Sequence, residues 1–253
     1  RRSSDLFHLA ARADIVPSIV EPDEYFTTNV DGTFNVLQAA RKHRVKKFVY
    51  VASSTCYGIP QVYPTPEDAP IRPQYPYALT KYMGEELVMH WGRVYDLPVL
   101  SLRFFNVYGP RMDTHGAYTE VLIRWMDAID AGRAPTIFGD GTQTMDFVHV
   151  ADVARASVLA AFCDRPDAVD AVFNVGTGVE TSLNELARML LHVMGSTLHP
   201  QYAEPRKVNP VPRRLASIDH AASVLGFRAT IGLEDGLRDL VSWWRTERSA
   251  TPA

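Results

Sequence analysis

Two residues in this chain have the types and spacing to move a proton. Tyr77-Ala78-Leu79-Thr80-Lys81 reads Tyr-x-x-x-Lys. On a helix, side chains four residues apart share a face. An ammonium beside a phenol favours the phenolate and lowers its pKa from about 10. A tyrosine tuned in this way can act as a general base near neutral pH. Alone the motif is weak, because a solvated helix face produces the same spacing by chance. Upstream, an apolar run ends in Ser53-Ser54-Thr55. A hydroxyl at a strand end, beside a Tyr-Lys pair on the next helix, can share a substrate hydroxyl through hydrogen bonds. The bland alternative is a Ser/Thr turn that only satisfies backbone groups.

Those residues need elements to hold them. Apolar runs at 6–11, 47–52, 99–105 and 172–175 read as strands. Phe26, Val30, Phe34, Leu37 and Ala40 recur every three or four residues, the mark of an amphipathic helix that Pro22 and Asp23 could open. Further helices are expected over 77–95, 121–131, 152–162, 183–194 and 233–245. Ser182 is a natural N-cap with Glu185 in the capping-box position. A proline-rich, acidic loop runs over 58–73, and Gly139-Asp140-Gly141-Thr142 reads as a turn. Solidly apolar strands alternating with helices indicate an α/β fold with a doubly wound parallel sheet covered on both faces. Ligands of such sheets bind beyond the carboxyl ends of the strands. Ser53, Ser54, Thr55 and Asn106 fall at those ends. No internal repeat or low-complexity segment interrupts the pattern.

Composition excludes several classes. The 253 residues are 46% hydrophobic and 22% charged, with a net charge of −3. That suits a globular enzyme and gives nucleic acid no basic surface. The most basic stretch, Arg41 to Lys47, sits at a helix end, where cations suit the helix dipole. Two cysteines, Cys56 and Cys163, form no disulfide framework or metal cluster and fit a reducing cytoplasm. No apolar run reaches the roughly 20 residues of a membrane span. Arg1-Arg2 is not read as an export signal, since Arg12 and Asp14 break the apolar stretch that follows. His149 and Asp152 lack the further ligands a metal needs, so no metal is expected. His8 reads as a packed strand-end histidine, Cys56 as a small buried hydrophobe, and Trp243 and Trp244 as the packed face of the last helix and its flank.

Taken together, the motifs resemble the extended short-chain dehydrogenases/reductases that act on nucleotide sugars, the UDP-galactose 4-epimerase kind. The resemblance covers nearly the whole chain. It rests on Phe7-His8-Leu9-Ala10-Ala11, Asn29-Val30-Asp31-Gly32-Thr33, Ser53-Ser54-Thr55-Cys56-Tyr57-Gly58, Pro76-Tyr77-Ala78-Leu79-Thr80-Lys81, Arg103-Phe104-Phe105-Asn106-Val107-Tyr108-Gly109-Pro110, Gly139-Asp140-Gly141-Thr142-Gln143, Asp146-Phe147-Val148-His149-Val150 and Asn174-Val175-Gly176-Thr177-Gly178. It implies a Rossmann-type sheet and NAD as cofactor. It implies a partial NAD-binding domain over 1–110 and a smaller substrate lobe over 111–253, with some segments returning to the sheet. It makes Tyr77 the base, Lys81 a ligand of the nicotinamide ribose, and Ser53 the hydroxyl that binds the sugar. Ala10 and Ala11 would line the cofactor cleft, Asn29 would support it, and Phe105 would lie by the nicotinamide. Ser54, Thr55, Asn106 and Arg206 would contact the nucleotide-diphosphate sugar. A homodimer through the helices at 26–41 and 77–95 is also implied.

Within this group the residues after Ser53 discriminate. Dehydratases place an Asp-Glu pair there, and decarboxylases a Glu at the position of Thr55. Neutral Ser54 and Thr55 point to an epimerase, working through a transient 4-keto sugar. A related decarboxylase or 4,6-dehydratase, or a non-catalytic cofactor-binding homologue, is the alternative. Two features depart from the family. No Gly-x-Gly-x-x-Gly or Gly-x-x-Gly-x-x-Gly occurs, so the N-terminal part that carries it is expected to be missing, and NAD binding to these residues alone is expected to be poor. Met145 replaces an arginine that pairs with substrate phosphate in many relatives, leaving Arg206, Arg213 or Arg214 for that task.

Overall fold

The computed structural model describes residues 4–114, 121–205, 208 and 211–250. Its centre is a parallel sheet of four strands: β1 (Leu6–His8), β2 (Phe48–Ser53), β3 (Val99–Phe104) and a later strand, Ala171–Val175. The register aligns Ser53 with Phe104 and Phe104 with Val175, so three carboxyl ends finish level. Between β1 and β2 run α1 (Ile15–Val20), α2 (Pro22–Phe26), a widened helical turn at Thr27–Asp31, and α3 (Gly32–His43). Helix α4 (Pro76–Tyr95) joins β2 to β3.

The pleat of β2 and β3 sorts their side chains onto two faces. Phe48, Tyr50 and Ala52 pack with Leu37 and Ala40 of α3 and Val88 and Trp91 of α4. Val49, Leu100, Leu102, Phe173 and Val175 pack on Val153, Ala156 and Ala160 of a helix on the other side. Both faces are covered, as the solid apolar strands require.

Past β3 the chain forms β4 (Asn106–Tyr108), α5 (Val121–Asp130), β5 (Thr136–Phe138), β6 (Thr144–Met145) and β7 (Phe147–His149). Helix α6 (Val150–Phe162) then crosses back to cover the sheet, followed by β8, the Ala171–Val175 strand already described. Next come β9 (Thr181–Ser182), α7 (Leu183–Met194), β10 (Gln201–Ala203) and α8 (Leu233–Ala250). Helices α5, α7 and α8 bury Ile123, Met126, Leu186, Leu190, Leu237, Leu240 and Trp244 in a second core. Ser182 and Glu185 form the reciprocal capping box at the start of α7.

Several local features differ from the sequence expectation. The first strand is three residues long, and of these only His8 is buried, because β1 lies at the sheet edge. His8 accepts or donates to the Thr33 hydroxyl at 3.0 Å, a packed role. Helix α1 was not foreseen; Pro17 within it weakens the pattern, although proline suits a first turn. The apolar stripe at 26–40 divides, with Leu37 and Ala40 buried and Phe26 and Phe34 exposed. Lys47 of the basic stretch is buried, not solvated. Its ammonium donates to the carbonyls of Ala160 and Cys163, closing the end of α6.

Candidate active site

The cleft opens beyond the carboxyl ends of β1, β2 and β3, between the sheet and the helical lobe, and encloses about 1900 Å³. Ser53, Ser54, Thr55, Tyr77, Lys81, Phe105 and Asn106 all line it. Ser53 ends β2 and caps the helical turn Ser54–Tyr57. Its Oγ accepts from the Thr55 amide at 3.3 Å and from the Thr55 hydroxyl at 2.9 Å. An oxygen that accepts twice in this way still has its own O–H to donate. Capping the turn and facing the cleft are therefore compatible tasks for Ser53.

Tyr77 and Lys81 stand in the first two turns of α4, which Pro76 opens. The Tyr25 ring lies edge-on to Tyr77, with centroids 6.4 Å apart. Lys81 is buried, and its ammonium sits 4.6 Å from the centre of the Tyr50 ring. The Tyr50 hydroxyl donates to the Lys81 carbonyl at 3.1 Å. Burial lowers the Lys81 pKa to about 8, against the opposing pull of the Glu85 carboxylate. Burial and then the Lys81 charge push His8 down to about 4, so His8 is neutral at physiological pH. Close approach of α4 to β2 depends on Gly84: a Cβ there would stand against the Tyr50 hydroxyl.

The loop after β1 completes this end. Leu9, Ala11 and Ala13 line the cleft, whereas Ala10 is exposed and outside its lining. Alternation along an extended segment turns one of the two expected alanines away. Asn29 lies behind the lining. It accepts from the Arg12 amide at 2.8 Å and donates to the Arg12 carbonyl at 3.1 Å and the Thr80 hydroxyl at 3.0 Å. It thereby ties the β1 loop to α4, beside Lys81.

At the other end, Asn106 donates through its side chain to the Asp146 carbonyl at 3.1 Å. Asp146 is a structural hub the sequence did not reveal. Its carboxylate accepts from the amides of Thr177, Gly178 and Ala216 and from the Thr177 hydroxyl. The Asp146 and Asn174-to-Gly178 motifs are thus two halves of one junction beneath Asn106. Met145 lines the cleft and supplies no charge. Arg213 does, and it is paired with Glu180 at 2.6 Å and stacked over Tyr63. Arg214 is buried and also lines the cleft. Arg206 lies outside the described residues. Trp125, Phe138, Gln143 and Tyr202 also line the cleft.

The expected Ser53, Tyr77 and Lys81 therefore meet in one cleft, with Phe105 and Asn106 beside them. Among the described residues no group of three or more His, Cys, Asp or Glu side chains could hold a metal. No helix among them is long and apolar enough to cross a membrane.

Comparison with known proteins places this arrangement. Residues 2–176 match the model of the NAD dependent epimerase/dehydratase family. The chain is 38% identical to a UDP-glucose 4-epimerase of Mycolicibacterium smegmatis, over 96% of this chain and 76% of that protein. UDP-glucose 4-epimerase from Thermotoga maritima, solved with UDP-glucose, superposes with a TM-score of 0.90 at 35% identity, covering 97% of this chain and 78% of that one. MoeE5, solved with UDP-glucose and NAD, gives 0.87 at 37% identity, covering 98% and 80%. The chain belongs to the NAD-dependent epimerase/dehydratase family, within the extended short-chain dehydrogenases/reductases.

Proposed function

We propose that this chain is a nucleotide-sugar 4-epimerase that works with NAD through a transient 4-keto sugar. The observation that carries the reading is the meeting of Ser53, Tyr77 and buried Lys81 at the strand ends, with neutral Ser54 and Thr55 beside them. Elimination or decarboxylation would call for a carboxylate near those hydroxyls, and positions 54 and 55 supply none.

The residues of the cleft fit the nicotinamide-ribose end of NAD. Leu9, Ala11 and Ala13 leave room at the β1 end, Lys81 offers three donors for ribose hydroxyls, and Phe105 gives an apolar wall. NAD, when bound, accepts and returns the C4 hydride; the protein supplies position and proton handling. Tyr77 takes the proton from the sugar 4-hydroxyl, and the Lys81 charge favours its phenolate. Ser53 donates to the same sugar oxygen and fixes the ring at C4. The Tyr77 proton returns to the oxygen after the flat keto sugar has turned its other face. Asn106 and Arg213 hold the diphosphate, Arg213 taking over from the missing arginine at 145 and exchanging its Glu180 partner for phosphate.

A homodimer through α3 and α4 accompanies this reading. These helices expose Phe34, Leu79, Val94 and Tyr95, and the buried Trp91 indole N–H finds no hydrogen-bond partner among the described residues. A cytoplasmic setting fits two cysteines that are free in the fold.

The test is product analysis. With NAD and UDP-glucose, NMR of the sugar products should show the C4 epimer at unchanged mass. Loss of water, or of carbon dioxide from a uronic acid substrate, would replace this reading with a dehydratase or decarboxylase.

A further inference from the structure

Helix α4 continues the Tyr77–Lys81 face by one more turn to Glu85, which the sequence reading did not use. Glu85 is 2% exposed, in the interior against β3. Its carboxylate accepts from the Ser101 hydroxyl at 2.8 Å and from Arg103, whose Nη2 lies 2.6 Å away. Arg103 also donates Nη1 to the Tyr57 hydroxyl and to the Glu67 carbonyl, both at 2.8 Å. Tyr57 closes the turn that begins after Ser53, and its hydroxyl donates to Asn174 at 2.8 Å. One buried chain of charge-assisted bonds therefore joins the helix that carries Tyr77 and Lys81 to the turn that carries Ser53 and Thr55.

A buried carboxylate in this place does more than bind an arginine. Lys81 is a cation in the interior, and burial works against its charge. Tyr77, one turn away on α4, adds a negative charge only as its phenolate, and the titratable groups on the neighbouring strands add none. From β1 comes His8, neutral, and from β2 comes Tyr50, whose phenol burial pushes well up. Tyr25 of α2 faces Tyr77, which shares the helix with Lys81. Glu85 is the carboxylate whose charge favours the protonated lysine.

We infer that Glu85 is a positioning residue for the reaction: through Arg103 and Tyr57 it fixes α4 in register with the Ser53 turn, and it sets a buried carboxylate one helical turn from Lys81. The inference rests on the epimerase reading for its consequence in turnover, but not for its effect on Lys81. Removing the carboxylate lowers the Lys81 midpoint. Lys81 then loses its charge at lower pH, and the alkaline limb of kcat moves down with it, while KM for the nucleotide sugar changes little.

The test follows the Lys81 titration directly, by NMR of the full chain grown with carbon-13-labelled lysine and assigned through Lys81→Arg, alongside pH profiles of kcat. In Glu85→Gln the Lys81 midpoint should fall by about one unit, so that above both midpoints the protonated fraction drops about tenfold. Glu85→Asp, which keeps the charge, should restore most of the shift. Glu85→Gln leaves Arg103 without its partner. If that variant does not fold, Glu85→Gln with Arg103→Met removes both charges and should fold; it should show a downward shift that is smaller, because the Arg103 charge is gone as well. An unchanged Lys81 midpoint in these variants, or a lower kcat with a parallel pH profile, would overturn the inference. Should the wild type prove inactive on nucleotide sugars, the titration still reads the Glu85 effect by itself.

Discussion

The two faces of the central sheet are built from the same strands and serve opposite ends. Toward α6, β3 presents Leu100 and Leu102, and these pack with Phe173, Ala156 and Ala160 into an apolar layer. Toward α4 the alternate residues are Ser101 and Arg103, meeting Glu85 and leading to Lys81. One residue of offset in β3 separates a wholly apolar side from one that sets a buried ion pair beside the core packed on α3 and α4. Polar groups buried on the α4 side gain no stability from burial unless every one is paired. The apolar layer behind the sheet lets the fold tolerate them.

Substitutions can break this contrast. The largest effect belongs to Tyr77→Phe, which removes the proposed proton acceptor and keeps the ring. Its kcat should fall by about two to four orders of magnitude, with substrate affinity by calorimetry and the melting temperature nearly unchanged. Lys81→Met should also lose most turnover, yet melt no lower than wild type at pH 7, because a buried ammonium is replaced by an apolar chain of similar length. The pH dependence has a definite sign. Lys81 titrates at about 8 in the fold, below the value of 10.5 for a free lysine. Between those pH values the unfolded chain holds the extra proton, so stability contributed by this site rises with pH. The melting-temperature gap between Lys81→Met and wild type should narrow across that window.

On the opposite face the outcome should invert. Phe173→Ala leaves a cavity in the apolar layer and should cost about 3–5 kcal/mol in denaturant unfolding, while kcat per folded molecule stays near wild type. Gly84→Ala lies where the two roles meet. The added methyl would push α4 off Tyr50, with an expected loss of about 1–3 kcal/mol and a lower kcat measured on the same sample.

Much of this was legible beforehand, and what was not had physical reasons. Periodicity located α4 and α7 to within a residue, because long amphipathic helices and a capping box are local signals. The spacing of Tyr77 and Lys81 is also what a plain helix face gives, and the roles of Ser53, Tyr77 and Lys81 came from the family resemblance; the fold brings all three to one cleft. Ala10 was not separable from Ala11, since the side of an extended loop that faces a cleft depends on its path. Glu85 was hidden because a glutamate four residues after a lysine normally reads as a surface pair. Only β3, placed against it by the sheet, turns it into a buried ion pair with Arg103. Asp146 was hidden likewise, since its partners at Thr177, Gly178 and Ala216 are remote in sequence.

The most direct measurement uses UDP-glucose deuterated at C4, incubated with NAD and wild-type or Tyr77→Phe protein, with the label followed by NMR. Tyr77 as acceptor of the 4-hydroxyl proton, with the C4 hydrogen carried as hydride by NAD, predicts that wild type forms the epimer with deuterium retained at C4, and that Tyr77→Phe forms almost none while still binding the sugar. Undiminished turnover by Tyr77→Phe, or washout of deuterium into solvent by the wild type, would contradict it.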